Sequence, residues 1–127
     1  MEFVFEILNK NHLPDVTKIV GECFHRFEPM ICSQKMSLNE VEAFVAKLLE
    51  CSLPQELTVV AKEAHSGKIS GAVITEELAT ENFPTKSLDM DKWGPVLGVV
   101  DVLDDFYLEN LTLSYGRIAH LFMIGGE

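Results

Sequence analysis

Residues 67–74, GKISGAVI in one-letter code, hold the strongest indication of the fold. A small polar turn leads there into the apolar run 69–75, and another apolar run, 57–61, precedes the turn. Two apolar runs joined by a short segment with Ser66 and Gly67 are typical of a β-hairpin. We therefore expect two neighbouring antiparallel strands in the middle of the chain.

Two helical patterns precede this hairpin. Pro14 suits a first helical turn, and apolar residues then recur at helical spacing as far as Phe27. This helix should end before Pro29, because the residue preceding a proline avoids the helical region. Ser37 and Glu40 predict a capping box at the start of a second helix. One apolar stripe follows them: Val41, Phe44, Val45, Leu48 and Leu49.

The remaining segments extend this order at both ends. Residues 3–8 predict a strand with at least one buried face, and 76–91 are polar and predict a long loop. Residues 93–108 predict a third helix, and the compact apolar run 117–124 predicts a buried strand. The order β-α-α-β-β-α-β predicts an α/β (α+β) domain. Two or three helices would pack on a mixed, mainly antiparallel sheet of about four strands.

Composition and charge limit the kinds of partner. The length of 127 residues suits a single domain over 1–127, and a net charge of −10 repels phosphate backbones and anionic membranes. Neither a signal peptide nor an apolar run of about 20 residues is visible. Three cysteines without a CxxC spacing fit reduced thiols. We expect a cytoplasmic protein that binds neither nucleic acid nor membranes.

The scattered histidines and cysteines do not predict a metal site. Cys23, His25 and Cys32 lack the spacing of a tetrahedral zinc site. An acidic cluster follows helical spacing and predicts a solvated helix face rather than a calcium loop, since the glycine-bearing twelve-residue pattern is missing. This cluster comprises Asp101, Asp104, Asp105 and Glu109.

The order of elements resembles the opening of the GCN5-related N-acetyltransferase (GNAT) fold. Residues 67–74 are similar to that family's central hairpin, and residues 120–125, HLFMIG, resemble its fourth strand, whose end meets the pantetheine arm. Residues 27–30, FEPM, resemble the Glu-Pro-Leu motif of insect and nematode arylalkylamine acetyltransferases. Those enzymes also carry a long loop and an inserted helix before the fourth strand. The resemblance implies acetyl-CoA-dependent N-acetyl transfer to a small amine.

The resemblance also assigns the acceptor side of a site. It implies Glu28 as the catalytic base, because the subfamily places its catalytic glutamate in this motif. Phe27, Pro29, Met30 and His120 would line the substrate site, with Pro29 fixing the local backbone. One departure is that an aspartate often precedes the glutamate, whereas Phe27 stands here. A helix-ending glutamate in a solvated turn is the alternative role for Glu28.

The implied acetyl-CoA side is Met123, Ile124, Gly125 and Gly126. Their backbone groups would face the pantetheine and the thioester oxygen, and the glycines permit close approach. No Arg/Gln-x-x-Gly-x-Gly/Ala loop for the pyrophosphate occurs in the 127 residues. We therefore expect an incomplete GNAT-like domain that ends after its fourth strand and is weakly active or inactive alone.

Two alternatives to an enzyme remain open. One is a non-catalytic, GNAT-derived binding or assembly module that forms a homodimer through the exposed edge of its fourth strand. The other is an unrelated α+β binding module.

Overall fold

The computed structural model describes residues 2–77, 88–110 and 118–127. One four-stranded sheet has the spatial order β1 (Phe3–Ile7), β2 (Val59–Glu63), β3 (Ile69–Glu77) and β4 (Ala119–Gly126). All three neighbouring pairs are antiparallel. The helices in these ranges are α1 (Leu13–Phe27), α2 (Pro29–Ser33), α3 (Leu38–Ser52) and α4 (Met90–Asn110), with 3-10 turns at Lys10–His12 and Leu53–Gln55. The predicted fold class and central hairpin are confirmed.

Helix α3 begins with the predicted capping box. The Ser37 hydroxyl accepts a hydrogen bond from the Glu40 N–H at 3.1 Å, and the Glu40 carboxylate accepts one from the Ser37 N–H at 2.7 Å. Both interactions satisfy N–H groups that have no partner within the helix. Lys92 of α4 donates to the same Glu40 carboxylate at 2.8 Å. One side chain therefore caps α3 and ties α4 to it.

The core lies between one face of the sheet and helices α1 and α3. The two helices cross closely, because a Cβ atom on Gly21 of α1 would lie 2.7 Å from the Glu42 Cγ of α3. Side chains from both helices and from β2 and β3 fill this layer. The most deeply buried are Val16, Val20, Val41, Val45, Leu48, Leu49, Val60 and Ile74.

The opposite face of the sheet is apolar and open. A shallow depression on it is lined mainly by Phe5, Val59, Ala61, Val73 and Ile124. The apolar side chains of β1 are 44–69% exposed, and only Leu8, directly after the strand, is buried. The predicted buried face of β1 is therefore wrong. Alternation defines two faces of a strand, but burial requires another element to cover one of them.

The prediction that the last strand of the chain is buried is also wrong, because one of its two faces is exposed. Met123 is 4% exposed and contributes to the core, whereas the next residue, Ile124, is 63% exposed. The strand β4 thus has one covered and one open face. Its first residue is Ala119, and residue 117, where the prediction began, lies outside the described ranges.

Three further boundaries differ from the prediction. The helix α1 ends before Pro29 as expected, but the short helix α2 begins at that proline. Glu76 and Glu77 extend β3 instead of starting a loop, and residues 78–87 of the predicted loop lie outside the described ranges. The predicted helix 93–108 is α4, which runs from Met90 to Asn110.

Thr58 is a buried polar residue that joins two parts of the sheet. Its hydroxyl accepts from the Thr75 N–H at 3.2 Å and lies 3.3 Å from the Thr75 carbonyl oxygen. The β3–β4 register shifts between Ile74 and Thr75, so this hydroxyl serves backbone groups beside a bulge.

We expect Thr58→Val to lower the free energy of unfolding by about 1–3 kcal/mol, because it leaves buried backbone groups of Thr75 without that partner. Thr58→Ser keeps the hydroxyl and should lose less, about 0.8 kcal/mol for the missing methyl group. Urea denaturation of both variants measures the difference. A Thr58→Val protein as stable as the wild type would show that the hydroxyl contributes nothing.

Two carboxylates should make the fold sensitive to acid. Hydrogen bonding to Lys62 holds the pKa of Glu6 below its ordinary value of 4.5. Lys92, and then the Ser37 N–H, lower the pKa of Glu40 in the same way. A carboxylate whose pKa is lower in the folded state stabilises the fold above the unfolded pKa. That contribution is lost as the pH falls through the folded pKa.

We therefore expect the free energy of unfolding to decline below about pH 4.5. A Glu6→Gln/Glu40→Gln variant should lose less stability than the wild type between about pH 7 and pH 3, since glutamine does not titrate. Urea denaturation across this range measures the slope. Parallel slopes for the two proteins would assign the acid sensitivity to other groups.

Candidate active site

Glu28 occupies the junction between α1 and α2. Its backbone is extended, with φ −75° and ψ 118°, and its carboxylate accepts a hydrogen bond from the Ile31 N–H at 2.7 Å. Glu28 is therefore the N-cap of α2, and Pro29 occupies the first helical turn, where a missing N–H costs nothing. The half-buried carboxylate is held in one orientation by this contact. Its second oxygen has further acceptor capacity.

The predicted neighbours of Glu28 differ in their surroundings. The side chain of Phe27 is 68% exposed, and the Arg26 guanidinium carbon lies 5.1 Å from its ring centroid. Met30 packs partly buried against the core, next to the buried Ile31. The structure therefore places one apolar side chain in solvent and the other against the protein. The exposed Phe27 ring belongs to the residue that directly precedes Glu28 in the sequence.

The glycines at the end of β4 lie where backbones approach closely. Gly125 faces α1, because a Cβ atom there would lie 3.3 Å from the Val20 Cα. A Cβ atom on Gly126 would lie 2.9 Å from the Ser70 carbonyl oxygen of β3. Close packing within the fold therefore explains why both positions need glycine, without any bound ligand.

Helix α1 links Glu28 to this end of β4. Val20 contacts Gly125, and Glu28 lies eight residues beyond Val20. Eight residues correspond to about 12 Å along a helix axis. The helix α1, which ends next to Glu28, therefore packs against the end of β4. Glu28 itself lies beyond that contact and does not touch residues 123–126 through the helix.

His120 lies toward the other end of β4. It lies six positions before Gly126, about 20 Å along a strand. Its Nδ1 lies 3.9 Å from a Glu76 carboxylate oxygen of β3, and its Nε2 lies 3.6 Å from an Asp104 oxygen of α4. The imidazole also packs edge-on against the Phe122 ring, with the two ring centroids 5.6 Å apart. The structure thus groups His120 with two carboxylates rather than with Glu28.

Sequence reasoning missed this histidine–carboxylate cluster. Asp104 was expected on a solvated helix face, but it faces His120, so that expectation is wrong for this residue. A signal was present: Asp104 follows Trp93, Leu97 and Val100 at helical spacing, and Trp93 is buried. The polar pattern of residues 76–91 predicts a loop, so it does not place Glu76 beside β4.

Cys51 lies close enough to Glu76 for the two to interact electrostatically. Burial, and then the Glu76 carboxylate, raise the pKa of the Cys51 thiol. A raised pKa keeps the sulfur protonated, whereas a nucleophilic cysteine needs the thiolate. The arrangement therefore does not support nucleophilic catalysis by Cys51.

Within residues 2–77, 88–110 and 118–127, no group of three or more histidine, cysteine or acidic side chains could hold a metal ion. No helix in the same part of the chain is both long and apolar enough to cross a membrane.

Comparisons with known proteins give structural matches only. No protein-family model and no curated protein matches this sequence. The C-terminal condensation domain of Ebony, solved in complex with β-alanyl-dopamine, superposes with a TM-score of 0.81 at 18% identity. The match covers 99% of this chain and 59% of that chain.

Two solved mosquito arylalkylamine N-acetyltransferase structures superpose on this chain with the same architecture. Arylalkylamine N-acetyltransferase 2 from Aedes aegypti superposes with a TM-score of 0.72 at 14% identity, covering 100% of this chain and 62% of that one. Mosquito arylalkylamine N-acetyltransferase-like 5b gives 0.73 at 15% identity, covering 98% and 61%. The chain has a GNAT-like fold.

At 14–18% identity these matches establish the GNAT-like fold alone. The resemblance predicted from the hairpin and the fourth strand is confirmed at that level. The chain spans 59–62% of the length of these GNAT-like neighbours.

Proposed function

We propose that this chain forms the acceptor-side half of an acetyl-CoA-dependent N-acetyltransferase that acts on a small arylalkylamine. The observation that carries the proposal is the match of essentially the whole chain to arylalkylamine N-acetyltransferases. It also matches a domain whose ligand, β-alanyl-dopamine, joins an acyl group to an arylalkylamine. Both kinds of neighbour concern the same class of amine.

Glu28 fits the role of general base in this reaction. The acceptor amine must lose a proton as its nitrogen attacks the thioester carbon, the new C–N bond forms and the C–S bond breaks. One oxygen of Glu28 accepts the Ile31 N–H, which fixes the carboxylate, and the other can take that proton. The protein's net charge of −10 favours the approach of a protonated amine.

The strand β4 fits the role of the surface that faces the thioester of acetyl-CoA. It is the last strand in the sheet order, so its outer edge pairs with no strand in the described ranges. Every second N–H group of an antiparallel edge strand points away from its neighbour. Such donors along residues 123–126 suit the oxygen that gains charge in acyl transfer.

Acetyl transfer by the full-length gene product tests the proposal. Release of free thiol from acetyl-CoA should depend on tryptamine or dopamine and be much weaker with an aliphatic amine of similar charge. Calorimetry should show that the full-length gene product binds acetyl-CoA. A full-length product that binds no acetyl-CoA would exclude the enzyme.

The edge position of β4 also favours a second candidate function, an assembly module. Leu121 and Ile124 are more than half exposed on the strand's open face, next to its unpaired edge. Antiparallel pairing of two β4 strands about a two-fold axis would bury both edges. Light scattering should then show a dimer that Ile124→Lys weakens and Phe5→Lys, on the far edge of the sheet, does not. A monomer at all concentrations would count against assembly.

A further inference from the structure

The two halves of α4 have different surroundings. Near its start, Trp93 and Val96 are buried in the core. Further along, four large apolar side chains are 48–68% exposed and follow the spacing of one helix side. We call Val99, Val102, Leu103 and Phe106 the α4 stripe.

Acidic residues border the α4 stripe on one side. Asp101, Asp105 and Glu109 recur every four residues and therefore form a row beside Val102 and Phe106. Residues 93–110 contain no lysine or arginine. Like charges four residues apart destabilise a helix, so this row gains from a cationic neighbour.

We propose that the α4 stripe docks an amphipathic helix of a partner protein whose apolar side chains are flanked by lysine or arginine. The exposed apolar side chains provide the contact area, and the acidic row selects a basic partner. A second copy of this chain fits poorly, because it would set two acidic rows against each other. Anionic surfaces are repelled for the same reason.

The dimensions of the stripe limit the affinity. Its four side chains span residues 99–106, about 10 Å of helix axis, or two turns. A contact of this length buries less area than a standard protein interface, which buries about 1,200–2,000 Å² in total. A dissociation constant in the micromolar range is therefore expected. The proposal involves none of the residues assigned to acetyl transfer.

Fluorescence anisotropy with a labelled Leu/Lys peptide tests this surface in the full chain. The peptide should carry leucines at heptad spacing over about 18 residues, because shorter helices are marginal in water. At about 0.15 M salt, binding should be at least tenfold tighter than for a Leu/Glu peptide of the same pattern. Val102→Gln/Leu103→Gln should weaken binding at least tenfold. Asp101→Asn/Asp105→Asn/Glu109→Gln should also weaken it and reduce its salt dependence.

Phe5→Gln is the matched control, since Phe5 is as exposed as Val102 but lies on the open face of the sheet. It should bind the Leu/Lys peptide like the wild type. Circular dichroism establishes that each variant is folded. Equal binding of the two peptides, wild-type affinity in the stripe variants, or loss of binding in Phe5→Gln alone would overturn the proposal.

Discussion

Glu28→Gln is expected to lower acetyl transfer by the full-length gene product about 10²–10⁴-fold, the usual contribution of a general base. Glutamine retains a carbonyl oxygen that can accept the Ile31 N–H, so the cap of α2 should survive. The variant therefore removes the proton acceptor with little change in the fold. The measurement is kcat/KM for an arylalkylamine from the rate of thiol release, with urea denaturation alongside.

Glu28→Ala separates the two roles of this side chain. It removes the base and the cap together, so it should lose activity as Glu28→Gln does and also lose about 0.5–2 kcal/mol of stability. If Glu28→Gln keeps full turnover, Glu28 is only the cap of α2. In that case the fold can still be that of an acetyltransferase, but the base must lie elsewhere.

Trp93→Ala is expected to lower the free energy of unfolding by about 3–5 kcal/mol, the range for removing a buried tryptophan side chain. Trp93 stacks on Phe44 of α3, with ring centroids 4.2 Å apart and an interplanar angle of 14°. Both rings are at most 3% exposed, and Phe122 of β4 lies 6.3 Å from Phe44. Losing the indole therefore removes a large apolar contact that holds α4 to the core.

Urea denaturation followed by circular dichroism measures this change, because Trp93 is the protein's single tryptophan and its fluorescence is lost with it. Val102→Ala, in the same helix but exposed, should change stability by less than about 0.5 kcal/mol. A loss below about 1 kcal/mol for Trp93→Ala would mean that other contacts anchor α4.

Elements with short-range signals could be predicted from the sequence. The capping box of α3 involves residues three apart, and the hairpin depends on a turn between two apolar runs. The sequence pattern does not predict α2, because Pro29 alone indicates the end of α1. A proline excludes the helical conformation from the residue before it, yet suits the first turn of a new helix. The motif therefore predicts Glu28 as a site residue, but it does not predict that Glu28 caps α2.

Burial could not be predicted from the same patterns. The apolar composition of β1 and β4 suggests strands in a core, but helices α1 and α3 cover only one side of the sheet. The His120 cluster depends on α4 lying beside β4 and on β4 pairing with β3, and both contacts join residues far apart in the chain. Sequence periodicity describes one element at a time and does not specify which element lies opposite it.

The open face of the sheet has a thermodynamic consequence. Side chains such as Phe5 and Ile124 are already largely hydrated in the native state, so unfolding newly hydrates less apolar surface than in a fully covered domain. The heat capacity increment of unfolding scales with newly hydrated apolar area and is typically about 12–15 cal/mol/K per residue. We expect calorimetry to place this chain below that range. The native state should also bind hydrophobic dyes that well-covered domains exclude.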